Sequence, residues 1–397
     1  MSYPKEMKSW RGLCFVVLGS MASGALAAGP FKVTDLAPVL PVGNGKVQTG
    51  LLWSVSPNGS LTGRFGAGAA GGGMGIYHPQ RGWSWALGRF GMGGNSNGEA
   101  VHTGDTVFGV RTQQSGGKKR NIDGSDVVVQ GIPGYDFVNS RAINDAGVIV
   151  GHFSMFVTDP WDFRGGKPFY RRGSQTWTPY DLGTVLKVNR NGIPLFAAGN
   201  VSGEELVGLW SPETGPVPMP SLAASGTQFG DPYNDVLDVR DLNEKNEVLT
   251  AGRSSGRNTL RVHSATGSFD IVEPIPFDSS IVGFFVGGMN NLSQYTMTYW
   301  VKDASGQTSY HWYLHSNGAW TDMTSSILSQ LPAGMKLEQV NDIDDYGRVY
   351  GMATLADGSK TVLRVETVPE PATLAALGLG ALLLKRRTRK NGILRGS

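Results

Sequence analysis

The chain has 397 residues, 57 of them Gly and 10 Trp, with only 17% charged side chains and a formal net charge of +3. That composition suits many short strands joined by tight turns and excludes a protein of long solvated helices. The positive charge sits at the two ends, since residues 1–27 carry a net +2 and residues 370–397 a net +5, so the body between them is left at −4. A mildly acidic body is a poor polyelectrolyte partner, and nucleic acid is excluded as a ligand.

Residues 1–28 read as a secretory signal peptide, with Lys5, Lys8 and Arg11 before an apolar run from Leu13 to Leu18 and then small residues ending in Ala27 and Ala28. Cys14, the single cysteine, lies in this segment, so the mature body has no disulfide framework to rely on. The short basic run Lys118-Lys119-Arg120 reads as a solvated loop.

From Phe31 to Val368 one phrase recurs: an apolar residue, three residues rich in Asn and Asp, a turn residue, then alternating β-formers. It appears as VSPNGSLTG at 55–63, AINDAGVIVG at 142–151, VNRNGIPLF at 188–196, LNEKNEVLT at 242–250, MNNLSQYTM at 289–297 and IDDYGRVYG at 343–351, with a weaker GNSNGEAVHTG at 94–104. The turn residues are Gly59, Gly98, Gly147, Gly192, Asn246, Ser293 and Gly347, spaced by 39, 49, 45, 54, 47 and 54. Asn, Asp and Gly there suit left-handed or Asx-type turns, so each phrase predicts strand, turn, strand. A second phrase, GWSWAL at 82–87, TWTPYDL at 176–182, SFDIVEPI at 268–275 and AWTDM at 319–323, predicts a further strand per period. Periods of this length holding several short strands indicate propeller blades. The last period is short of one strand, and Phe31–Leu40, with Thr34-Asp35-Leu36 echoing Thr321-Asp322-Met323, supplies it. The expectation is an all-β fold, a seven-bladed β-propeller over 29–367, with a short hydrophobic C-terminal helix.

No catalytic or metal-binding constellation stands out. Gly94–Gly98 and Gly252–Gly256 spell G-x-S-x-G, but no helix follows either serine as a nucleophile elbow requires. Gly66–Gly71 spells a dinucleotide fingerprint without a βαβ unit around it and reads as a flexible loop. The carboxylates of NDIDDYG (341–347) and NIDGSD (121–126) lack the closing bidentate Glu of a calcium loop, and His311 and His315 lack a third ligand. No cofactor is expected. Trp83, Trp85, Trp161, Trp177, Trp210, Trp300, Trp312 and Trp320 sit at strand-like positions, as core packing or as a face for stacking on sugars.

The tail, 368–397, starts with Pro369-Glu370-Pro371, which breaks any preceding strand. An uncharged run from Ala372 to Leu384 follows, ended by Lys385, Arg386, Arg387, Arg389 and Lys390, a cluster retained on the cytoplasmic side of a membrane. At the helical rise the run spans about 20 Å, short of the roughly 30 Å hydrocarbon core.

These three ordered elements resemble the PEP-CTERM sorting signal of Gram-negative bacteria. The resemblance implies a transient inner-membrane intermediate, an exosortase-type processing enzyme as partner, and release to the cell surface or exopolysaccharide matrix. The body's recurring phrase resembles the HAF-type extracellular repeats, whose INDxGxVVG core is nearly matched by Ile143–Gly151; that family carries no catalytic residues to transfer. The expected function is a non-enzymatic structural or binding propeller, possible partners being exopolysaccharide or other surface components. The alternatives are a polysaccharide-acting enzyme on the same scaffold and a soluble periplasmic propeller with an inert tail.

Overall fold

The computed structural model describes residues 31–368, apart from 68–71, 88–89, 104–105, 108–109, 112–117, 122, 134, 136, 155–165, 181, 200–204, 221–236, 255–256 and 274–279. The signal peptide, the sorting signal Pro369–Pro371, the hydrophobic run and the basic cluster from Lys385 to Lys390 lie outside the described residues. Residues 34–364 group as one compact unit, and 1–33 group with 365–397 as another. Of the latter, only 31–33 and 365–368 are described.

The chain is a seven-bladed β-propeller, each blade a four-stranded antiparallel sheet. Blade 1 runs through Thr49–Val55, Leu61–Gly66, Gly72–His78 and Gly82–Leu87. Blade 2 takes Phe90–Gly94, Ala100–Thr103, Lys118–Arg120 and Asp126–Val128, with a small hairpin, Thr106–Val107 against Val110–Arg111, inserted after its second strand. Blade 3 takes Phe137–Ile143, Ile149–Ser154, Lys167–Arg172 and Gln175–Trp177. Blade 4 takes Leu182–Val188, Pro194–Gly199, Glu205–Ser211 and Gly215–Pro218. Blade 5 takes Leu237–Leu242, Val248–Ser254, Arg257–Ser264 and Gly267–Ile271, and blade 6 takes Ile281–Met289, Tyr295–Lys302, Thr308–Ser316 and Ala319–Asp322.

Blade 7 takes Lys336–Ile343, Val349–Thr354 and Lys360–Thr367 from the end of the chain and its fourth strand, Phe31–Asp35, from the beginning. The joint is hydrogen-bonded on both sides: Leu36 N–H donates to Val362 O at 2.9 Å, and the Thr361 hydroxyl donates to the Asp35 carboxylate. Trp83 of blade 1 adds an indole N–H bond to Leu36 O at 2.8 Å.

Apolar residues fill the spaces between successive sheets, because each sheet has two faces to cover and a ring gives each a neighbour. Leu52, Leu61 and Phe65 of blade 1 pack with Tyr350, Met352 and Val362 of blade 7; Leu249, Leu260 and Val262 of blade 5 pack with Val286, Met297 and Tyr299 of blade 6. Trp312, fully buried in blade 6, donates its indole N–H to Glu338 O at 2.6 Å at the start of blade 7.

One local expectation needs correction. Lys118-Lys119-Arg120 is the third strand of blade 2, not a loop. Its charges are matched there, Lys119 by Glu99 at 2.7 Å and Arg120 by Asp126 at 3.1 Å, which lets a basic run join a sheet. A helical turn, Thr324–Leu328, also follows blade 6, where the sequence carries too short a pattern for helical periodicity to register.

Candidate functional site: the mouth of the central channel

The first strand of every blade ends in the same turn. Its opening residue is Ser56, Asn95, Asn144, Asn189, Asn243, Asn290 or Asp344 in blades 1 to 7. The N–H of that residue donates to the carbonyl four residues on at 2.8–3.2 Å, and its own carbonyl accepts from the residue three on at 2.8–3.1 Å. The donor three residues on is Gly59, Gly98, Gly147, Gly192, Asn246, Ser293 or Gly347, and all seven have positive φ, from +54° at Ser293 to +85° at Gly59. Asn suits the opening position because its Oδ1 accepts main-chain N–H groups two and four residues on. Asn144 does so from Ala146 at 3.1 Å and Val148 at 2.9 Å.

That leaves the Asn amide free to donate to the next blade. Asn95 Nδ2 donates to Asn144 O at 2.9 Å, Asn144 Nδ2 to Asn189 O at 3.1 Å, and Asn189 Nδ2 to Asn243 O at 3.2 Å. Asn243 meets the Met289 sulfur at 3.7 Å, and Asn290 Nδ2 donates to Asp344 O at 2.8 Å. Blade 7 has Asp344, which has no amide to donate. Arg348 substitutes: its Nε binds Asp344 Oδ2 at 2.6 Å while its Nη2 donates to Asn58 O of blade 1 at 2.7 Å. Asn58 then donates to Ser96 O of blade 2 at 2.8 Å, and the belt is closed.

Just before these turns, each first strand carries a register shift, at Leu52/Ser54, Gly91/Gly93, Ser140/Ala142, Val185/Lys187, Val239/Asp241, Val286/Met289 and Val340/Asp342. A bulge re-aims the side chains beside it. With the turns above, these bulges line a cavity of about 280 Å³ to which all seven blades contribute.

The cavity wall has two charged layers. The lower holds Lys187 of blade 4, Asp241 of blade 5 and Asp342 of blade 7, with Lys187 Nζ 3.5 Å from Asp241 Oδ1. Both carboxylates also tie blades together: Asp241 Oδ2 accepts Met289 N–H at 2.9 Å and Asp342 Oδ2 accepts Val55 N–H at 3.2 Å. Gly288 lies against both, since a Cβ there would stand 1.7 Å from Asp342 Oδ1 and 3.0 Å from Asp241 Oδ2. The upper layer holds Asp145, Arg190, Glu244 and Asp345, with Arg190 Nε 3.1 Å from Asp145 and Nη1 4.0 Å from Asp345. Arg141 and Trp53 complete the part of the wall that matters chemically.

Burial sets the protonation of this site. Burial, with the neighbouring Asp241 carboxylate, pushes Asp342 up to about 8, Lys187 offsetting only part of the effect. Burial opposes the charge on Lys187, but Asp241 and Asp342 outweigh it and hold the ammonium above its ordinary value. Burial and the Asp345 charge raise Glu244, and burial lowers Arg141 to about 10.

The other sequence candidates lie elsewhere. In 341–347, Asp344 accepts Tyr346 N–H, Arg348 N–H and the Tyr350 hydroxyl, so it is a turn and core acceptor. Asp123 holds the turn between the outer strands of blade 2 through Ser125. His311 faces Asp322 at 3.9 Å, and His315 packs edge-on against Trp320, both on the third strand of blade 6. Gly94–Gly98 is one of the seven channel turns, and Gly252–Ser254 ends a strand, while 255–256 and 68–71 lie outside the described residues. Trp83 and Trp85 stack on each other in blade 1, Trp210 and Trp177 pack on Tyr170, and Trp300 packs on Tyr310; Trp161 is outside the described residues. Among the described residues, no group of three or more His, Cys, Asp or Glu side chains is arranged to hold a metal, and no helix is long and apolar enough to cross a membrane.

The bulge residues escaped the sequence reading because they share a position without sharing a chemistry. Lys187, Asp241 and Asp342 each stand five residues before the turn residue, where the other blades have Ser54, Gly93, Ala142 and Gly288. Alignment on the turn residues would have brought them into one column.

Comparison with known proteins supports the class that fold and tail define. Residues 367–390 match the PEP-CTERM protein-sorting motif. The motif implies an exported protein, recognised by an exosortase, that passes through a membrane-anchored sorting intermediate. No curated protein sequence matches the chain. Among solved structures, the β-propeller domain of the Trilobed protease from Pyrococcus furiosus superposes with a TM-score of 0.50 at 9% identity, over 81% of this chain and 95% of that one. A prolyl endopeptidase gives 0.49 at 11% identity over 93% of this chain and 56% of that one. The acylaminoacyl peptidase of Pyrococcus horikoshii gives 0.41 at 10% identity over 76% and 49%. The chain thus spans about half the length of these two peptidases, and at such identity the likeness is one of fold alone.

Proposed function

We propose that this is a non-enzymatic binding propeller of HAF-type repeats, sorted by an exosortase to the cell surface or exopolysaccharide matrix of a Gram-negative bacterium. The channel mouth is its ligand site. The observation that carries the reading is the employment of the two channel carboxylates, Asp342 buried and Asp241 partly so: each accepts a main-chain N–H from the neighbouring blade, so they serve the ring's closure and its cavity together. A general acid and base for glycoside cleavage would need oxygens open to the scissile bond.

A second reading, a polysaccharide-acting enzyme, draws on the same two side chains, because a carboxyl raised by burial, as Asp342 is, beside a second acidic side chain is the arrangement from which an acid–base pair is built. Incubating purified residues 29–368 with a glycan array and with soluble polysaccharides separates the two. Binding without release of reducing ends is expected; saccharide products would move the assignment to the enzyme.

A further inference from the structure

The face of the ring that carries the channel turns is also the face at which its last strand ends. In blade 7 the chain turns through 344–348 on that face, descends along Val349–Thr354, turns again through 355–359 and climbs back along Lys360–Thr367. Five residues lead from Thr367 to Ala372, where the uncharged run of the tail begins. Fully extended, they cover at most about 18 Å, so a bilayer that holds the run lies within that distance of the strand's end. The strands of blade 7 are six to eight residues long. The opposite face therefore stands farther off by a strand length, about 20–26 Å.

The turns on this face differ in blades 6 and 7. Two residues after the opening residue, blades 1 to 5 carry Asn58, Asn97, Ala146, Asn191 and Lys245, whereas blades 6 and 7 carry Leu292 and Tyr346. The three Asn amides donate to the next blade, to Ser96 O, Asp145 O and Glu244 O at 2.8–3.3 Å. Leu292 and Tyr346 stay out of the core, at 62% and 72% exposure. They stand side by side, because the residues before them, Asn291 and Asp345, are hydrogen-bonded to each other at 2.7 Å. Each has a cation nearby: Lys245 Nζ lies 3.1 Å from the hydroxyl of Ser293, next to Leu292, and the Arg348 guanidinium lies 4.7 Å from the centre of the Tyr346 ring. An exposed aliphatic and an exposed aromatic side chain flanked by cations make up a contact suited to a membrane interface.

We propose that this face rests on the lipid surface while the tail is anchored, with Leu292 and Tyr346 as the side chains that touch the bilayer interface. Tyr346 belongs to blade 7, whose last strand leads into the tail, and Leu292 to the blade beside it, so both contacts fall near the anchor rather than across the ring from it. The uncharged run is short for the hydrocarbon core, and such a mismatch draws the residues ahead of it toward the headgroups. The same seven turns wall the cavity, so lipid against them covers that end of the channel until the tail is cut.

Fluorescent probes on the full-length chain in phosphatidylcholine vesicles test this. Cys14→Ser removes the single cysteine, after which Leu292→Cys, Tyr346→Cys and Ala304→Cys each take one fluorophore. Ala304 is exposed at the opposite end of blade 6, in the hairpin between Lys302 and Thr308. Nitroxide-labelled lipid in the vesicles should quench the probes at Leu292→Cys and Tyr346→Cys severalfold more than the probe at Ala304→Cys. Equal quenching at the two ends overturns the proposal, as does stronger quenching at Ala304→Cys or failure of the chain to float with the vesicles. Leu292→Asn combined with Tyr346→Asn gives blades 6 and 7 the residue of blades 1 and 2. That pair should leave the melting temperature unchanged and lower the quenching of a probe at Lys245→Cys severalfold; undiminished quenching there overturns the assignment to these two side chains. Shielding of Leu292→Cys and Tyr346→Cys from a water-soluble maleimide in native membranes but not in the lipid vesicles would give the face to a membrane protein and overturn the lipid contact.

Discussion

Asn144 Nδ2 lies 3.1 Å from the carbonyl of Asn189, its counterpart in the next blade, while Asn144 Oδ1 caps its own turn through Ala146 and Val148. One buried side chain therefore fixes a turn and a blade-to-blade joint together. Asn144→Ala leaves Val148 N–H, at a buried residue, without its side-chain acceptor and removes the tie to blade 4. A destabilisation of about 2–4 kcal/mol is expected, from the loss of several buried bonds at once. Urea unfolding of wild type and variant checks it, and coincident midpoints would show that the belt is incidental.

Two glycines separate backbone strain from crowding. Gly147 has φ +72° with no atom within 4 Å of a Cβ built there, so Gly147→Ala should cost only the left-handed conformation, about 1–2 kcal/mol. Gly288 has an ordinary φ but would place its Cβ 1.7 Å from Asp342 Oδ1. Gly288→Ala must displace that carboxylate from Val55, and a loss of about 2–3 kcal/mol is expected, accompanied by a changed channel mouth. If thermal unfolding ranks Gly147→Ala as the more damaging of the two, the close packing of Gly288 against Asp342 is wrong.

The blade count was legible because each blade's inner turn demands unusual backbone geometry, and only a few residue types meet it. The outer strands were half legible. GWSWAL and AWTDM keep an aromatic that packs between blades, whereas Gly215–Pro218, GPVP, carries no such mark. The channel mouth was not legible, since a bulge is a property of two strands in register and leaves no residue preference when its side chains face a cavity. Lys118–Arg120 was misread for a related reason: what neutralises it, Glu99 just before one adjacent strand and Asp126 on the other, lies outside the run itself.

The joint in blade 7 carries the next expectation. Deleting residues 31–40 removes the outer strand and exposes the edge of Lys360–Thr367, whose Val362 and Val365 are buried. It also removes Leu36 O, the acceptor of the Trp83 indole in blade 1. The whole ring should lose stability cooperatively, read as a lowered melting temperature for every tryptophan signal together. An unchanged melting temperature would mean the fourth strand is dispensable.

The raised Asp342 makes stability depend on pH in a stated direction. Its folded value, about 8, exceeds its unfolded value near 4, so between them the folded chain holds a proton that the unfolded chain has released. The contribution is complete below about pH 4 and is lost as pH rises through about 8. Asp342→Asn cannot titrate, so its urea midpoint should fall less than that of wild type between pH 5 and 8. Parallel curves for the two proteins over that range would rule out Asp342 as the group responsible.

Processing is the final expectation. The last strand ends at Thr367, Val368 is partly exposed, and the sorting motif spans 367–390, so Pro369-Glu370-Pro371 follows the end of the propeller without an intervening linker. Two prolines close together cannot continue a ladder, so the sequence places the boundary between propeller and tail at that point. The released protein should therefore end near Pro371, and replacing Pro369, Glu370 and Pro371 by Ala should leave a cell-associated precursor heavier by the length of the tail. Mass spectrometry of the secreted and membrane fractions distinguishes the two forms. Peptides from Asn391–Ser397 on the released protein would contradict cleavage there, whatever the propeller binds.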